Sequence, residues 1–288
     1  MPNRPSLRTV IFTSVAMLCF AANSILCRLA LGPALIDAAT FTTLRVLSAA
    51  AMLSLMVWLS YRRLPRMAAA NPRAVVALFG YLVFFSFAYR RLEAGSGALI
   101  LIGAVQLTMF TIALWEGERF TAVQWLGLSM ALLGFIYLVL PGVSAPDLFG
   151  AALMAMSGAA WGWFSLLARG AEHPLEANAS NFLACLVPAL SVNLLAAQAL
   201  HATSFGVLLA IASGAIATGL GYIVWYLALR QLSASRAATA QLSMPALVAL
   251  SGTAFLSEPL TVRLLIASAA LLGGIALVFG QRVHGSRS

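Results

Sequence analysis

Three side-chain amides stand inside long apolar runs of the chain: Asn23, Gln106 and Gln241. An amide is costly in hydrocarbon unless it meets a partner or lines a cavity. Because each amide offers a donor and an acceptor, the three together suit a small zwitterion. The alternative is hydrogen bonding between neighbouring helices, worth about 0.6–2 kcal/mol per bond in a membrane bundle. Residue type does not separate the two interpretations.

Aromatic side chains recur in two of these runs at spacings of three and four, which places much of each set on one helical face. Such a face either lines a cavity or contacts lipid. Met244 precedes Pro245 one turn after Gln241, where a proline would kink the helix and free a carbonyl. The predicted substrate-binding set is Asn23, Tyr81, Phe85, Gln106, Trp163, Tyr222, Trp225, Gln241 and Met244.

Acidic side chains are predicted only in loops or at helix ends, and no carboxylate or imidazole falls near the centre of an apolar run. Proton-driven pumps place a titratable group there, so the pattern favours a facilitator or a less direct form of coupling. Glu118 and Glu258 each precede a threonine by three residues, which predicts helix capping. Arg28 and Arg45 are predicted to snorkel to the headgroups, with Asp37 as a possible partner; a role as an outer gate is the alternative.

Composition assigns the chain to the membrane. Of 288 residues, 62% are hydrophobic and only 9% are charged, whereas a soluble domain carries about a quarter charged residues. The net charge of +9 comes from scattered arginines, because the chain lacks lysine; this indicates membrane orientation and not nucleic-acid binding. Three cysteines in apolar runs predict neither disulfide nor metal site. No cofactor and no obligate protein partner is indicated.

Ten apolar spans of membrane-crossing length can be distinguished, and no strand pattern is present. Arginines accumulate in the segments that are cytoplasmic if both termini are inside, which predicts that orientation. The spans are 8–31, 39–60, 73–91, 95–115, 121–141, 148–169, 178–199, 205–229, 234–256 and 262–281.

The chain contains an internal repeat, since residues 85–139 read again at 225–279 with a constant offset of 140. Matching positions include Ala88, Arg90, Leu92, Ala94 and Ala98 with Ala228, Arg230, Leu232, Ala234 and Ala238, and Glu118 with Glu258. Phe20 and Arg28 match Trp161 and Arg169 at an offset of 141. Five helices per copy is an odd number, so the copies must be inverted in the membrane. We therefore predict an all-α integral membrane protein with two five-helix repeats, 1–143 and 144–288.

Several motifs resemble those of the EamA-type proteins in the drug/metabolite transporter superfamily. They are Trp161-Gly162 followed by Arg169, the run 228–234, Met244-Pro245, the run 257–261 and its first-half echo 115–121. Val105 in place of a second proline, and Phe20-Ala21 in place of Trp-Gly, make the halves unequal. The resemblance implies a ten-helix exporter of small metabolites in a bacterial inner membrane, with amino-acid exporters of the YddG type as the nearest kind.

The resulting hypothesis is export of small neutral metabolites, aromatic and other neutral amino acids first, by alternating access. Trp163, Tyr81 and Tyr222 break the repeat by facing Ala22, Gly221 and Leu82, and an asymmetric substrate would be recognised at such positions. A multidrug exporter of cations is the alternative, relying on an aromatic cage. A lipid-modifying enzyme would need a His, Asp or Lys cluster at one interface, and a carrier of phosphorylated metabolites would need paired buried cations; neither pattern is present.

Overall fold

The computed structural model describes residues 7–117, 119–142, 144–168, 172–196, 200–229, 231–232 and 240–282. Within these ranges the regular structure is helical, apart from one antiparallel bridge between Ile36 and Ala202. The helices are α1 (Leu7–Leu31), α2 (Ala38–Tyr61), α3 (Pro72–Ala88), α4 (Ala94–Trp115), α5 (Ala122–Val139), α6 (Leu148–Leu167), α7 (Pro174–Leu195), α8, α9 (Ser243–Leu256) and α10 (Val262–Arg282). Among the predicted repeat positions, Glu118, Arg169, Arg230, Ala234 and Ala238 lie outside the described residues.

The eighth helix changes its winding along its length, which the sequence pattern did not predict. We call α8 the continuous run that is α-helical over Ser204–Ile211, π-helical over Ala212–Leu220 and α-helical again over Gly221–Leu229. Such π-helical turns are rare and occur often at functional sites. The π-helical segment packs against α1 and α2.

Length and composition confirm an all-helical membrane protein. Seven of the described helices are long and apolar enough to cross a bilayer, and three more, Pro72–Ala88, Ser243–Leu256 and Val262–Val278, are apolar but shorter. Predicted span ends agree with the helix ends to within about four residues, except at the start of α9, which follows residues outside the described part. The count of ten crossings stays a prediction.

Helix starts are capped by polar side chains, as their sequence positions predict. Thr121 Oγ1 accepts from the Gln124 backbone N–H at 3.3 Å and forms a capping box with it. Thr261 Oγ1, at the matching position of the second half, accepts from the Leu264 N–H at 3.1 Å. The threonines of the two Glu-x-x-Thr motifs therefore satisfy free backbone donors at the starts of α5 and α10.

Two ion pairs show how the helix ends are arranged. Arg63, just after α2, contacts both carboxylate oxygens of Glu176 in the first turn of α7, at 2.5 and 2.8 Å. Arg28, in the last turn of α1, pairs with Glu258, just after α9. We call the face at which α1 begins the near face and the face at which it ends the far face.

Packing between the halves follows the sequence offset. By the repeat, α1, α3 and α4 correspond to α6, α8 and α9. Helix α3 packs on α6, and the corresponding α8 packs on α1. Likewise α4 packs on α6, and the corresponding α9 packs on α1. A Cβ added to Gly274 of α10 would meet the Gly127 carbonyl oxygen of α5. The reciprocal contact also exists, since a Cβ on Gly134 would lie 3.1 Å from the Ala267 carbonyl oxygen. Shifting each residue by 140 converts one contact into the other.

Candidate functional site

Aromatic rings from both halves meet between the helices. Tyr81 of α3 and Trp161 of α6 have ring centroids 4.7 Å apart, and Trp161 stacks on Tyr222 of α8 at 5.6 Å with an interplanar angle of 11°. Phe20 of α1 meets Tyr222 edge-on at 5.9 Å. These separations are those at which aromatic pairs attract one another. We call Phe20, Tyr81, Trp161 and Tyr222 the aromatic cluster.

A polar contact joins α1 to the π-helical segment at one side of this cluster. Ser213 Oγ donates to Asn23 Oδ1 at 2.7 Å, and Cys27 Sγ lies 3.9 Å from the same hydroxyl. All three side chains are buried. The amide of Asn23 thus has a partner between helices, which is one of the two interpretations that its residue type allowed.

Arg45 lies close to the same place and is fully buried, with 1% of its surface exposed. Its Nη2 donates to the Tyr81 hydroxyl at 3.1 Å, and its guanidinium carbon lies 5.4 and 5.0 Å from the ring centroids of Tyr81 and Phe85. Within the described part of the chain, Nε and Nη1 have no hydrogen-bond partner and no carboxylate pairs with the guanidinium. A buried cation without a counter-ion is costly.

The prediction that Arg45 snorkels, with Asp37 as its partner, is therefore wrong. Arg45 lies about two turns inside α2, and α2 is covered by α7 and by the π-helical segment, so the headgroups are out of its reach. Asp37 instead accepts from the Thr40 N–H at 2.9 Å and from the His201 N–H at 3.0 Å. Burial raises the pKa of the Asp37 carboxyl, but these hydrogen bonds outweigh burial and hold the pKa below its usual value.

An ion pair closes the far face between the two halves. Arg28 Nε lies 2.9 Å from Glu258 Oε1, and Arg28 Nη1 donates to the Tyr89 carbonyl oxygen at 3.2 Å. Glu258 Oε2 accepts from the Ala94 N–H at 2.7 Å. Glu258 thus accepts from a free N–H at the start of α4, whereas the prediction placed its capping at the helix ends next to it in the chain. Snorkelling of Arg28 is wrong, because the guanidinium turns toward protein acceptors.

A cavity of about 270 Å³ opens at the near face, among the ends of α3, α6, α7 and α8. Asn71, Asn178 and Asn181 contribute to its lining, as does Tyr226, whose hydroxyl accepts from Asn178 Nδ2. Tyr226 follows Tyr222 by one helical turn. The cavity is therefore separated from the aromatic cluster by about one turn of α8.

The predicted site residues do not all gather at this place. Tyr81, Tyr222 and Asn23 do lie there. Phe85 extends the cluster toward the far face, because its ring centroid lies 5.3 Å from that of Tyr81 and 4.8 Å from that of Tyr89. Trp225 is buried among Ala16, Met17 and Ala228, and its ring centroid lies 6.0 Å from that of Phe20. Gln106 and Met244 are buried in the bundle, and Gln241 is half-buried in a helical turn just before α9.

Trp163 lies apart from the aromatic cluster. It is 39% exposed and lines an open groove of about 400 Å³ together with Leu107 and Trp115. Trp161, two residues earlier, occupies the central position instead. The predicted set left Trp161 out because it matches Phe20 across the repeat. The presence of an aromatic residue at both matched positions is the sequence feature that could have indicated it.

The apolar helices, which pack around a polar and aromatic centre, define a multi-pass membrane protein. The chain belongs to the EamA-like transporter family, within the drug/metabolite transporter superfamily: the family model matches it twice, over residues 7–140 and 148–280.

Curated relatives extend this assignment. An uncharacterised protein of Pseudomonas aeruginosa is 48% identical over 98% of this chain and 97% of its own length. An uncharacterised transporter of Archaeoglobus fulgidus is 29% identical over 72% of this chain and 76% of its own. The threonine/homoserine exporter RhtA of Escherichia coli is 32% identical over 56% of this chain and 55% of its own length. A protein of known crystal structure shares the fold with a TM-score of 0.65 at 17% identity, over 97% of this chain and 99% of that one.

Proposed function

We propose that the protein exports small neutral metabolites, amino acids first, across a bacterial inner membrane with both termini in the cytoplasm. The observation that carries the proposal is a mixed aromatic and polar centre between the halves, closed at the far face by Arg28 and Glu258 and approached from the near face by a cavity. Similarity to the threonine/homoserine exporter supports amino acids as the substrate class.

Alternating access follows from the relation between the halves. The reciprocal α5–α10 contacts and the exchange of packing partners support two five-helix repeats, 1–143 and 144–288, related by inversion. An inverted pair can open to either side by exchanging the conformations of its halves. With cytoplasmic termini the near face is cytoplasmic, so this conformation admits substrate from inside the cell.

The described carboxylates support a facilitator. Asp37, Glu93 and Asp147 are N-cap residues, Glu176 lies in the first turn of α7, and Glu258 follows α9. A group at a helix end is poorly placed to carry a proton through the middle of the membrane. The substrate would then move down its own gradient.

Efflux from proteoliposomes loaded with labelled threonine, homoserine or phenylalanine tests the function. Transport should proceed without an imposed proton gradient, and its rate should not change when a pH gradient is imposed across the liposome membrane. Tyr222→Ala should reduce it strongly, whereas Tyr137→Ala, which removes an exposed ring, should not. A rate that depends on the imposed pH gradient would exclude the facilitator, and movement of cationic dyes but of no amino acid would favour the multidrug alternative.

A further inference from the structure

We propose that the Arg45 guanidinium is the binding point for the substrate's carboxylate. This inference rests on the proposed function and adds a chemical requirement to it: the transported molecule must carry an anionic group. Two of the three guanidinium nitrogens, Nε and Nη1, lack partners among the described residues although the side chain is 1% exposed.

The protein environment neutralises Arg45 only in part. The faces of Tyr81 and Phe85 lie 5.4 and 5.0 Å from the guanidinium carbon, and cation–π attraction at such distances offsets some of the desolvation cost. One neutral hydrogen bond, to the Tyr81 hydroxyl, is also present. A carboxylate would supply what these contacts do not: a full negative charge and oxygens that accept from the remaining donors.

The position of Arg45 fits a ligand arriving from the near-face cavity. From that cavity, packed side chains lead inward: Tyr226 lines it, Tyr222 lies one turn further along α8, Trp161 stacks on Tyr222, and Tyr81 contacts Trp161 and hydrogen bonds to Arg45. Beyond Arg45, Phe85 packs on Tyr89, whose carbonyl oxygen accepts from Arg28 of the far-face ion pair. Arg45 therefore lies on the far side of the aromatic cluster, where an entering ligand would stop.

The same geometry orients an amino acid. With its carboxylate on Arg45, the remainder of the molecule would point back toward the cluster, where the faces of Tyr222 and Trp161 suit an ammonium group or an apolar side chain. The Asn23–Ser213 pair offers polar atoms beside it. A cationic drug would meet an uncompensated positive charge instead, which opposes the multidrug alternative.

Transport of L-threonine and L-threoninamide by the wild-type protein in liposomes tests the carboxylate requirement, because the amide keeps the amine and the side chain. We expect the amide to move at least about 30-fold more slowly, the loss typical of a buried charge deprived of its partner. Equal rates for the two would overturn the role of Arg45 while leaving amino-acid transport in place. Failure to move either compound or any other amino acid would refute the proposed function itself.

Variants separate binding from folding. Arg45→Gln should abolish discrimination between the acid and the amide, and Arg45→Lys should restore part of it because the charge is kept. Arg90→Gln, which removes an exposed arginine in the α3–α4 turn, is the matched control. Threonine should raise the Tm of the wild-type and Arg90→Gln proteins in detergent but not that of Arg45→Gln. Stabilisation of a folded Arg45→Gln protein by threonine would contradict the proposal.

Discussion

Arg28 and Glu258 join the two halves of the protein at the far face, through a contact of 2.9 Å between Nε and Oε1. Both side chains are mostly buried, with 23% and 12% of their surfaces exposed. The same carboxylate caps α4, and the same guanidinium holds the end of α3 through the Tyr89 carbonyl. Opening the far face requires these contacts to break, because they tie α1, α3, α4 and α9 together.

Glu258→Gln should make the far face open more often. The loss of a largely buried ion pair costs about 1–2 kcal/mol, which corresponds to a five- to thirtyfold larger open population. Cys27, one residue before Arg28, is fully buried and reports on opening. In a Cys19→Ala, Cys185→Ala background, a membrane-impermeant maleimide should label Cys27 several-fold faster in the variant.

Arg91→Gln, which breaks an exposed ion pair with Asp147, is the control and should leave the labelling rate unchanged. Equal rates in the unmutated background, Glu258→Gln and Arg91→Gln would exclude a closing role for Glu258.

Trp161→Ala and Trp163→Ala form a matched pair two residues apart. Trp161 stacks on Tyr222 and contacts Tyr81, whereas Trp163 is 39% exposed and faces a groove. Losing the contacts with Tyr222 and Tyr81, worth about 0.5–1.5 kcal/mol each, should lower amino-acid efflux at least about fivefold in Trp161→Ala. Efflux by Trp163→Ala should remain near wild type. A greater loss in Trp163→Ala would restore the assignment expected from repeat asymmetry.

Asp37 should contribute stability that depends on pH. Its folded pKa lies below the usual 3.8, so the carboxylate stabilises the fold fully above that value, and the contribution is lost as the pH falls through the folded pKa. Asp37→Asn should therefore lower the free energy of unfolding at pH 7 by about 1–2 kcal/mol. This loss is measured as a lower Tm in detergent. The difference from wild type should shrink below pH about 4. A difference that is constant with pH would show that the charge of Asp37 does not stabilise the protein.

Gly274→Ala and Gly273→Ala should differ sharply in stability. A Cβ at Gly274 would lie 2.6 Å from the Ala131 backbone nitrogen, which cannot move without shifting α5. A Cβ at Gly273 would meet only the terminal methyl of Met130, at 2.9 Å, and that side chain can rotate away. We expect Gly274→Ala to destabilise by about 1–3 kcal/mol, read as a lower Tm in detergent. Gly273→Ala should be neutral or slightly stabilising, since alanine favours helix; similar losses in both would argue against close α5–α10 packing.

The helices and their ends were predictable because they depend on local chemistry. Asp147 caps α6 by accepting from the Gly150 N–H at 2.7 Å, as an aspartate before an apolar run suggests. The π-helical stretch of α8 was not predictable from the pattern, since Ala212–Leu220 has the composition of any apolar helix. Its winding accompanies contacts with α1 and α2, such as the close approach of Gly214 to the Arg45 carbonyl.

Comparison across the repeat was a useful but incomplete guide to the site. It selected Tyr81 and Tyr222, which do meet near the centre. It also directed attention to Trp163, which breaks the repeat, and away from Trp161, which matches Phe20. The matched residues Phe20 and Trp161 both contact Tyr222, so a matched position also contributes to the centre.

The sequence by itself determined the membrane class, the helical architecture, the internal duplication and the family, because hydropathy, capping and repeat offsets are properties of the chain order. Only the tertiary structure decided the partners of the charged residues. Arg28 and Arg45 have the same sequence description, an arginine one or two turns inside an apolar helix. The position of each helix in the bundle separates them. Helix α1 brings Arg28 to an acceptor at the far face, while α2 holds Arg45 in the interior, where Nε and Nη1 have no partner among the described residues.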